Sequence, residues 1–302
     1  MATPPDTPLA RRRSNVRRGL LAALCVLAGL GGVSVAASAE TISADFNGDG
    51  KTDTATLNST YGTISIARGG GGTTSYNTSA GWLSVSTAET NGVAGQEIVI
   101  TFASGYNAVV DDRARTTCSD IVDPVGAGRV VMFADVNGTA GVEVAFIYDN
   151  GIVMVVDDRA RARRSYVVDP IGGGRVVSVS DLNGSSGNEI AFIYDNGIVS
   201  VIDDRAKARR DYVVDPIGSN TRYVKVAEFN GTAGNEIMFS YSNGYSEVVD
   251  DRLRTMRTYV HPTNGSAPTY ANMDGVAGLE AVFTYAYGKV WLSDRARSVT
   301  YH

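Results

Sequence analysis

Asp181-Leu182-Asn183-Gly184-Ser185-Ser186-Gly187-Asn188-Glu189 repeats, with small changes, Asp135-Val136-Asn137-Gly138-Thr139-Ala140-Gly141-Val142-Glu143. Around these nonapeptides, residues 111–156 and 157–202 align without gaps and match at 29 of 46 positions. The signature is a carboxylate, then Asn-Gly, a further Gly and a closing Glu. It recurs at residues 89–97 and 228–236, as a variant at 272–280, and in a fuller form at 45–53. The starts are 44, 46, 46, 47 and 44 residues apart, so six copies fill residues 41–302. A fixed period of this length is the mark of a repeat architecture.

Within one copy, short runs of Val, Ile, Phe and Tyr alternate with Gly, Asn, Asp and Pro, which reads as four strands. In the fourth copy the strands are predicted at residues 175–180, 189–194, 198–202 and 211–214. Asn150-Gly151, Asn196-Gly197 and Asn243-Gly244 are expected to form two-residue type I′ hairpin turns between the second and third strands. Asp123-Pro124, Asp169-Pro170 and Asp215-Pro216 separate one copy from the next, and proline there stops an edge strand from pairing further. Four antiparallel strands per repeat, with no helical period, give an all-β fold: a single six-bladed β-propeller of four-stranded antiparallel blades. No strand remains at either terminus to complete a shared blade, so the ring is expected to close by blade one resting on blade six.

The domain plan is residues 1–39 as a secretory signal and 40–302 as the propeller. Arg11, Arg12, Arg13, Arg17 and Arg18 precede an apolar run over residues 19–37 and a small-residue site at Ala37-Ser38-Ala39. Arg17-Arg18 leaves open a twin-arginine or an ordinary Sec signal. The other reading of this segment is an uncleaved anchor, since it is nearly long enough to span a bilayer. The expected location is secreted or cell-surface associated, with no membrane span after cleavage.

Residues 40–302 carry 22 basic and 31 acidic side chains, net −9, which argues against a nucleic-acid partner. Cys25 falls in the signal, leaving Cys118 as a strand residue and no intrachain disulfide. His261, followed by Pro262, reads as a solvated loop residue.

The fullest nonapeptide, Asp45-Phe46-Asn47-Gly48-Asp49-Gly50-Lys51-Thr52-Asp53, places oxygens at positions 1, 3, 5 and 9, glycine at 6 and a free carbonyl at 7. That spacing suits a hard cation that takes six to eight oxygens. The metal set is therefore Asp45, Asn47, Asp49, Lys51 (by its carbonyl) and Asp53, and one calcium is expected, in blade one. A metal-free Asx-turn hairpin is the other reading. Asp-x-Asn-x-Asp-Gly-x-x-Asp between the first strands of a propeller blade resembles the FG-GAP/VCBS repeat family, which includes the integrin α-subunit propeller and many secreted bacterial proteins. The resemblance spans residues 41–302. It implies a secreted or surface-displayed binding domain and usually seven blades. The other five copies depart from it, with Val93, Thr139, Ser185, Thr232 or Val276 at position 5.

Asp-Arg-x-Arg/Lys follows the third strand in blades two to six but not in blade one, which has Ala67-Arg68-Gly69-Gly70. Arg113, Arg159, Arg205, Arg252 and Arg295 are therefore expected to stand in for calcium by pairing with Glu97, Glu143, Glu189, Glu236 and Glu280. A solvated Asp-Arg turn is the alternative. On the face away from these loops, Tyr148, Asn150, Arg129, Tyr194, Asn196 and Arg175 are candidate ligand-binding residues for an extracellular glycan or protein. The carboxylate pairs Asp111-Asp112, Asp157-Asp158, Asp203-Asp204 and Asp250-Asp251 recur in four blades, and a repeated pair reads as scaffold, so no catalytic residue is assigned. A polysaccharide-active enzyme and a structural spacer remain the alternatives to a ligand-binding or adhesion module.

Overall fold

The computed structural model describes residues 40–121, 129–168, 175–214, 222–263 and 267–302. The expected signal and the linker prolines Pro124, Pro170 and Pro216 lie outside them. The chain is all-β: six four-stranded antiparallel sheets, each built from four consecutive strands in chain order, the blades of a six-bladed β-propeller. Blade four comprises Arg175–Ser180, Glu189–Tyr194, Ile198–Asp203 and Ala208–Val213. Its fourth strand begins three residues before the predicted start, because the preceding turn closes at Lys207, whose φ is +54°.

The second strands of blades two to five, Glu97–Phe102, Glu143–Tyr148, Glu189–Tyr194 and Glu236–Tyr241, are buried at every position. Burial on both faces explains their unbroken apolar runs. In blade four, Ile190, Phe192 and Tyr194 face blade three, while Ala191 and Ile193 face blade five. The aromatic Phe192 and Tyr194 point back, and Ala191 and Ile193 point forward. A main-chain bond repeats at each junction. Gln96, Val142, Asn188, Asn235 and Leu279 each donate an N–H to the carbonyl that opens the preceding blade's loop, on Asp45, Glu89, Asp135, Asp181 and Glu228, at 2.7–2.9 Å.

The end blades differ. In blade one the second strand, Asp53–Asn58, alternates: Ala55 and Leu57 are buried toward blade two, and Thr54 and Thr56 are exposed. Five apolar cores join blades one to six in series, and among the described residues none joins blade six to blade one. The expectation that the ring closes by blade one resting on blade six is corrected accordingly, since hydroxyl side chains cannot supply that core.

The hairpin turns also differ from expectation. Gly151, Gly197 and Gly244 have positive φ, but Asn150, Asn196 and Asn243 do not. The connections are three-residue loops, such as Asp149-Asn150-Gly151, closed by Gly151 N–H to Tyr148 O at 3.2 Å. A type I turn followed by a left-handed glycine suits this length.

Candidate functional site

All six loops share one backbone design. The first residue's side chain accepts the N–H of the fourth. The third accepts that of the fifth, and the ninth that of the second. In blade one, Asp45 Oδ1 takes Gly48 N–H at 2.7 Å, Asn47 Oδ1 takes Asp49 N–H at 2.8 Å, and Asp53 Oδ2 takes Phe46 N–H at 2.9 Å. Blade four repeats the first two bonds with Asp181 and Asn183, and Glu189 takes Leu182 N–H at 2.6 Å. The fold of the loop therefore does not depend on the blade-one acids.

Blade one adds contacts of its own. Asp45 Oδ2 accepts Gly50 N–H and Asp49 Oδ1 accepts Lys51 N–H, both at 2.8 Å. Asp53, fully buried, gives its other oxygen to Gly69 N–H at 2.8 Å. Gly70 lies against the loop, and a Cβ there would stand 3.0 Å from Asp49 Oδ2. The donor set of three carboxylates, an amide oxygen and a carbonyl suits calcium in kind. Among the described residues, no three acidic, histidine or cysteine side chains are already grouped around one point.

In blades two to five the ninth residue is a buried glutamate. Asn91, Asn137 and Asn230 donate their amide nitrogen both to this glutamate, at 2.5–2.8 Å, and to the aspartate ending the third strand, at 3.0–3.1 Å. Asn183 makes the same bridge between Glu189 and Asp203. Burial pushes Glu97, Glu143, Glu189 and Glu236 up to about 7, against the opposing pull of the backbone N–H each accepts. The group between the two carboxylates is therefore an asparagine amide.

The arginines expected there do something else. Arg113, Arg159, Arg205 and Arg252 donate to the backbone carbonyls of Ala94, Ala140, Ser186 and Ala233 at 2.9–3.3 Å. Arg295 pairs with Asp274 at 2.8 Å. Pairing with Glu97, Glu143, Glu189, Glu236 and Glu280 is thus corrected. Those glutamates are 1–2% exposed and already bonded inside the loop, while the arginines lie across its solvent rim.

The strong ion pairs join successive blades. Arg210 on the fourth strand of blade four grips Asp251 of blade five through Nε and Nη2 at 2.7 and 2.6 Å, and Tyr212 OH donates to the same carboxylate at 2.6 Å. Arg164 and Tyr166 hold Asp204 likewise, and Arg257 and Tyr259 hold Asp294. In blade one, Arg68 and Tyr76 hold Asp112 at 2.7 and 2.6 Å. Each arginine is raised by its carboxylate partner. Blade two breaks the series: Cys118 stands opposite Val109, where blades three to five have arginine, and Thr90 Oγ donates to Asp158 at 3.1 Å. The signal for this clamp was present in the sequence as a repeated Arg-x-Tyr.

On the opposite face, the rings of Tyr148 and Tyr194 are buried between blades, at 1% and 2% exposure, and so cannot stack on a ligand. Both lie on strands buried on each side, which corrects their assignment as ligand contacts. Asn150 and Asn196 cap their turns by accepting Ile152 and Ile198 N–H at 3.0 Å. The side chains of Arg129 and Arg175 lie outside the described residues. His261 is buried, not solvated. Its Nε2 lies 3.1 Å from Ser246 Oγ, its Nδ1 lies 3.0 Å from Tyr285 OH, and its ring stacks on Phe283 at 4.0 Å. Burial lowers its pKa.

This face does hold a cleft. Between blades one and two, a space of about 300 Å³ is bordered by Asn77, Thr78 and Ser79 on one side and by Phe102, Tyr106 and Ser119 on the other. The connection on its blade-one side is held by the Trp82 indole N–H donating to Ser79 O at 2.7 Å and Thr78 Oγ at 3.0 Å. Sequence reasoning missed the cleft because its walls come from two different repeats.

No family model matches the chain, and no curated protein matches its sequence. Solved structures similar to it include Saccharomyces cerevisiae Sqt1, at 11% identity over 82% of this chain and 69% of that one, with a TM-score of 0.40. BBS1N, solved in complex with ARL6DN, is 9% identical over 89% and 83% of the chains, with a TM-score of 0.38. A catalytically inactive virginiamycin B lyase from Staphylococcus aureus, solved with quinupristin, is 13% identical over 91% and 88%, also at 0.38.

Proposed function

We propose that this chain is a secreted, calcium-binding ligand-binding module of the FG-GAP/VCBS type, whose ligand is a neutral, hydroxyl-rich molecule such as an extracellular glycan. The observation that carries this reading is the cleft between blades one and two. It offers uncharged hydroxyl and amide groups from Asn77, Thr78, Ser79 and Ser119 beside the half-exposed ring of Tyr106. An aromatic face with a few placed polar groups is what sugar recognition needs. The repeated aspartates support binding over hydrolysis. Asp112, Asp204, Asp251 and Asp294 are almost wholly buried and held by arginine and tyrosine, so they serve the blade junctions.

Calcium would be held by Asp45, Asn47, Asp49, the Lys51 carbonyl and Asp53, tying the blade-one loop together at the opposite end of the same blade. A glycan array followed by calorimetry tests the ligand, with Tyr106→Ala expected to weaken binding by about tenfold through lost ring contact. Unchanged affinity would reject the cleft. Native mass spectrometry with and without EDTA tests the metal. One calcium is expected, and Asp49→Ala should weaken it by roughly tenfold or more, because ligand charge tunes calcium affinity over decades. Five or six equivalent ions would overturn the single-site reading.

A further inference from the structure

The array has two unlike ends. The face of blade one that no neighbour covers presents Thr41, Ser43, Thr54, Thr56 and Ser75, all exposed and none charged. This is the polar outer face of a terminal repeat that caps a stack. The outer face of blade six is built differently. Met273 is 37% exposed, whereas its counterparts Phe46, Val136, Leu182 and Phe229 lie at 2% or less beneath the following blade. Gly275 keeps the left-handed turn, φ +74°, with open space before it. At Gly48, Gly138, Gly184 and Gly231 that space is filled by the next blade's carbonyl, 2.0–2.7 Å from where a Cβ would sit. Thr284, on the central strand, is exposed, and Trp291 is half-buried with its ring 4.0 Å from His302.

We propose that this face of blade six is a self-association surface, on which two copies of the chain meet blade six to blade six about a twofold axis. The positions left open are those that the other blades bury under a neighbour, so the surface continues an interface the chain already makes five times. A head-to-tail contact is disfavoured on both sides. Blade one offers only the methyl group of Ala67 to cover Met273 or Trp291. It carries Arg68 where the clamp needs an aspartate, and blade six carries Thr300 where the clamp needs an arginine. A twofold contact sets Met273 and Trp291 against their own copies, leaves exposed Lys289, which stands opposite Thr284, at the hairpin end of the face, and stops at two.

Sedimentation of the purified chain over a wide concentration range tests this, read together with tryptophan emission. The chain has two tryptophans, and Trp82 is buried at 6% exposure, so a concentration-dependent blue shift reports Trp291. A monomer–dimer equilibrium is expected. Thr284→Arg and Met273→Lys should each raise the dissociation constant by at least about tenfold, as charge placed in an interface core does. Thr56→Arg on the blade-one face should leave it unchanged. Both residues of the first pair are exposed, and an unaltered melting curve checks that the variants fold. Should one fail to fold, the other reads the same face. A monomer at every concentration overturns the proposal. So does a dimer weakened by Thr56→Arg, which would mark a head-to-tail contact, or one indifferent to both blade-six variants.

Discussion

Blade one and blade four share a backbone and almost nothing else. Both have four antiparallel strands and the same loop, closed by the same three side-chain-to-amide bonds. In blade four the central strand is apolar on both sides, because a blade lies on each. In blade one it is Thr-Ala-Thr-Leu, apolar on one side only. In blade four an asparagine amide joins two carboxylates, and in blade one Ala67 leaves that bridge without its second acid. Loop geometry is thus the shared inheritance, while burial and charge are set by the neighbours each blade has.

The widest split between the blades should appear on truncating the central strand. Phe192→Ala in blade four is expected to cost about 4 kcal/mol, the range for a fully buried phenylalanine. Thr56→Val in blade one should stay within about 0.5 kcal/mol, as exposed substitutions do. Urea unfolding of both variants measures this, and equal losses would break the comparison.

Next in size is the clamp. Arg210→Ala leaves Asp251 buried at 3% exposure without its guanidinium, at an expected cost of about 3 kcal/mol. Arg210→Lys should recover little, since an ammonium cannot match both carboxylate oxygens through one planar fork.

The buried loop glutamates of blades two to five give the fold a pH dependence. Glu97, Glu143, Glu189 and Glu236 bind a proton more tightly folded than unfolded. Stability should therefore fall as pH climbs from the ordinary glutamate range through about 7. The summed loss is on the order of 2 kcal/mol, because water at the loop rim screens part of the effect. Urea midpoints in EDTA at mildly acid and mildly alkaline pH check the sign.

The smallest effects concern the turn after the third strand, and they should carry opposite signs. Blade one uses Gly71, φ +98°, and Gly71→Ala should cost about 1 kcal/mol through backbone strain alone, since nothing lies within 4 Å. Blade four uses Lys207 at φ +54°, and Lys207→Gly should stabilise by about 0.5 kcal/mol, part of the relief being offset by a freer unfolded chain. Thermal melts separate the two.

The repeat period and strand chemistry were enough to read the six blades, because both are local. The alternation of Thr54, Ala55, Thr56 and Leu57 marks a strand apolar on one side only, yet the expected ring rests blade one on blade six. What could not be read was which neighbour a side chain meets. Tyr148 and Tyr194 resemble surface tyrosines beside a turn, yet a strand covered on both sides hides them. Arg164, Arg210 and Arg257 reach carboxylates 37 to 41 residues ahead, a pairing that needs the blades' spatial order. The loop arginines looked like substitutes for a metal because they sit near acids in sequence. The structure satisfies those acids from within the loop first.

The N–H-to-carbonyl bond that links each blade's loop to the one before it has a consequence for ancestry. It joins main chain to main chain, so no side chain has to be matched for it to form. A tandem copy of one 46-residue unit would arrive with its own donor and its own acceptor. Such a gene can gain or lose repeats by unequal recombination and still encode a joined series, leaving the sequence of each unit to diverge afterwards.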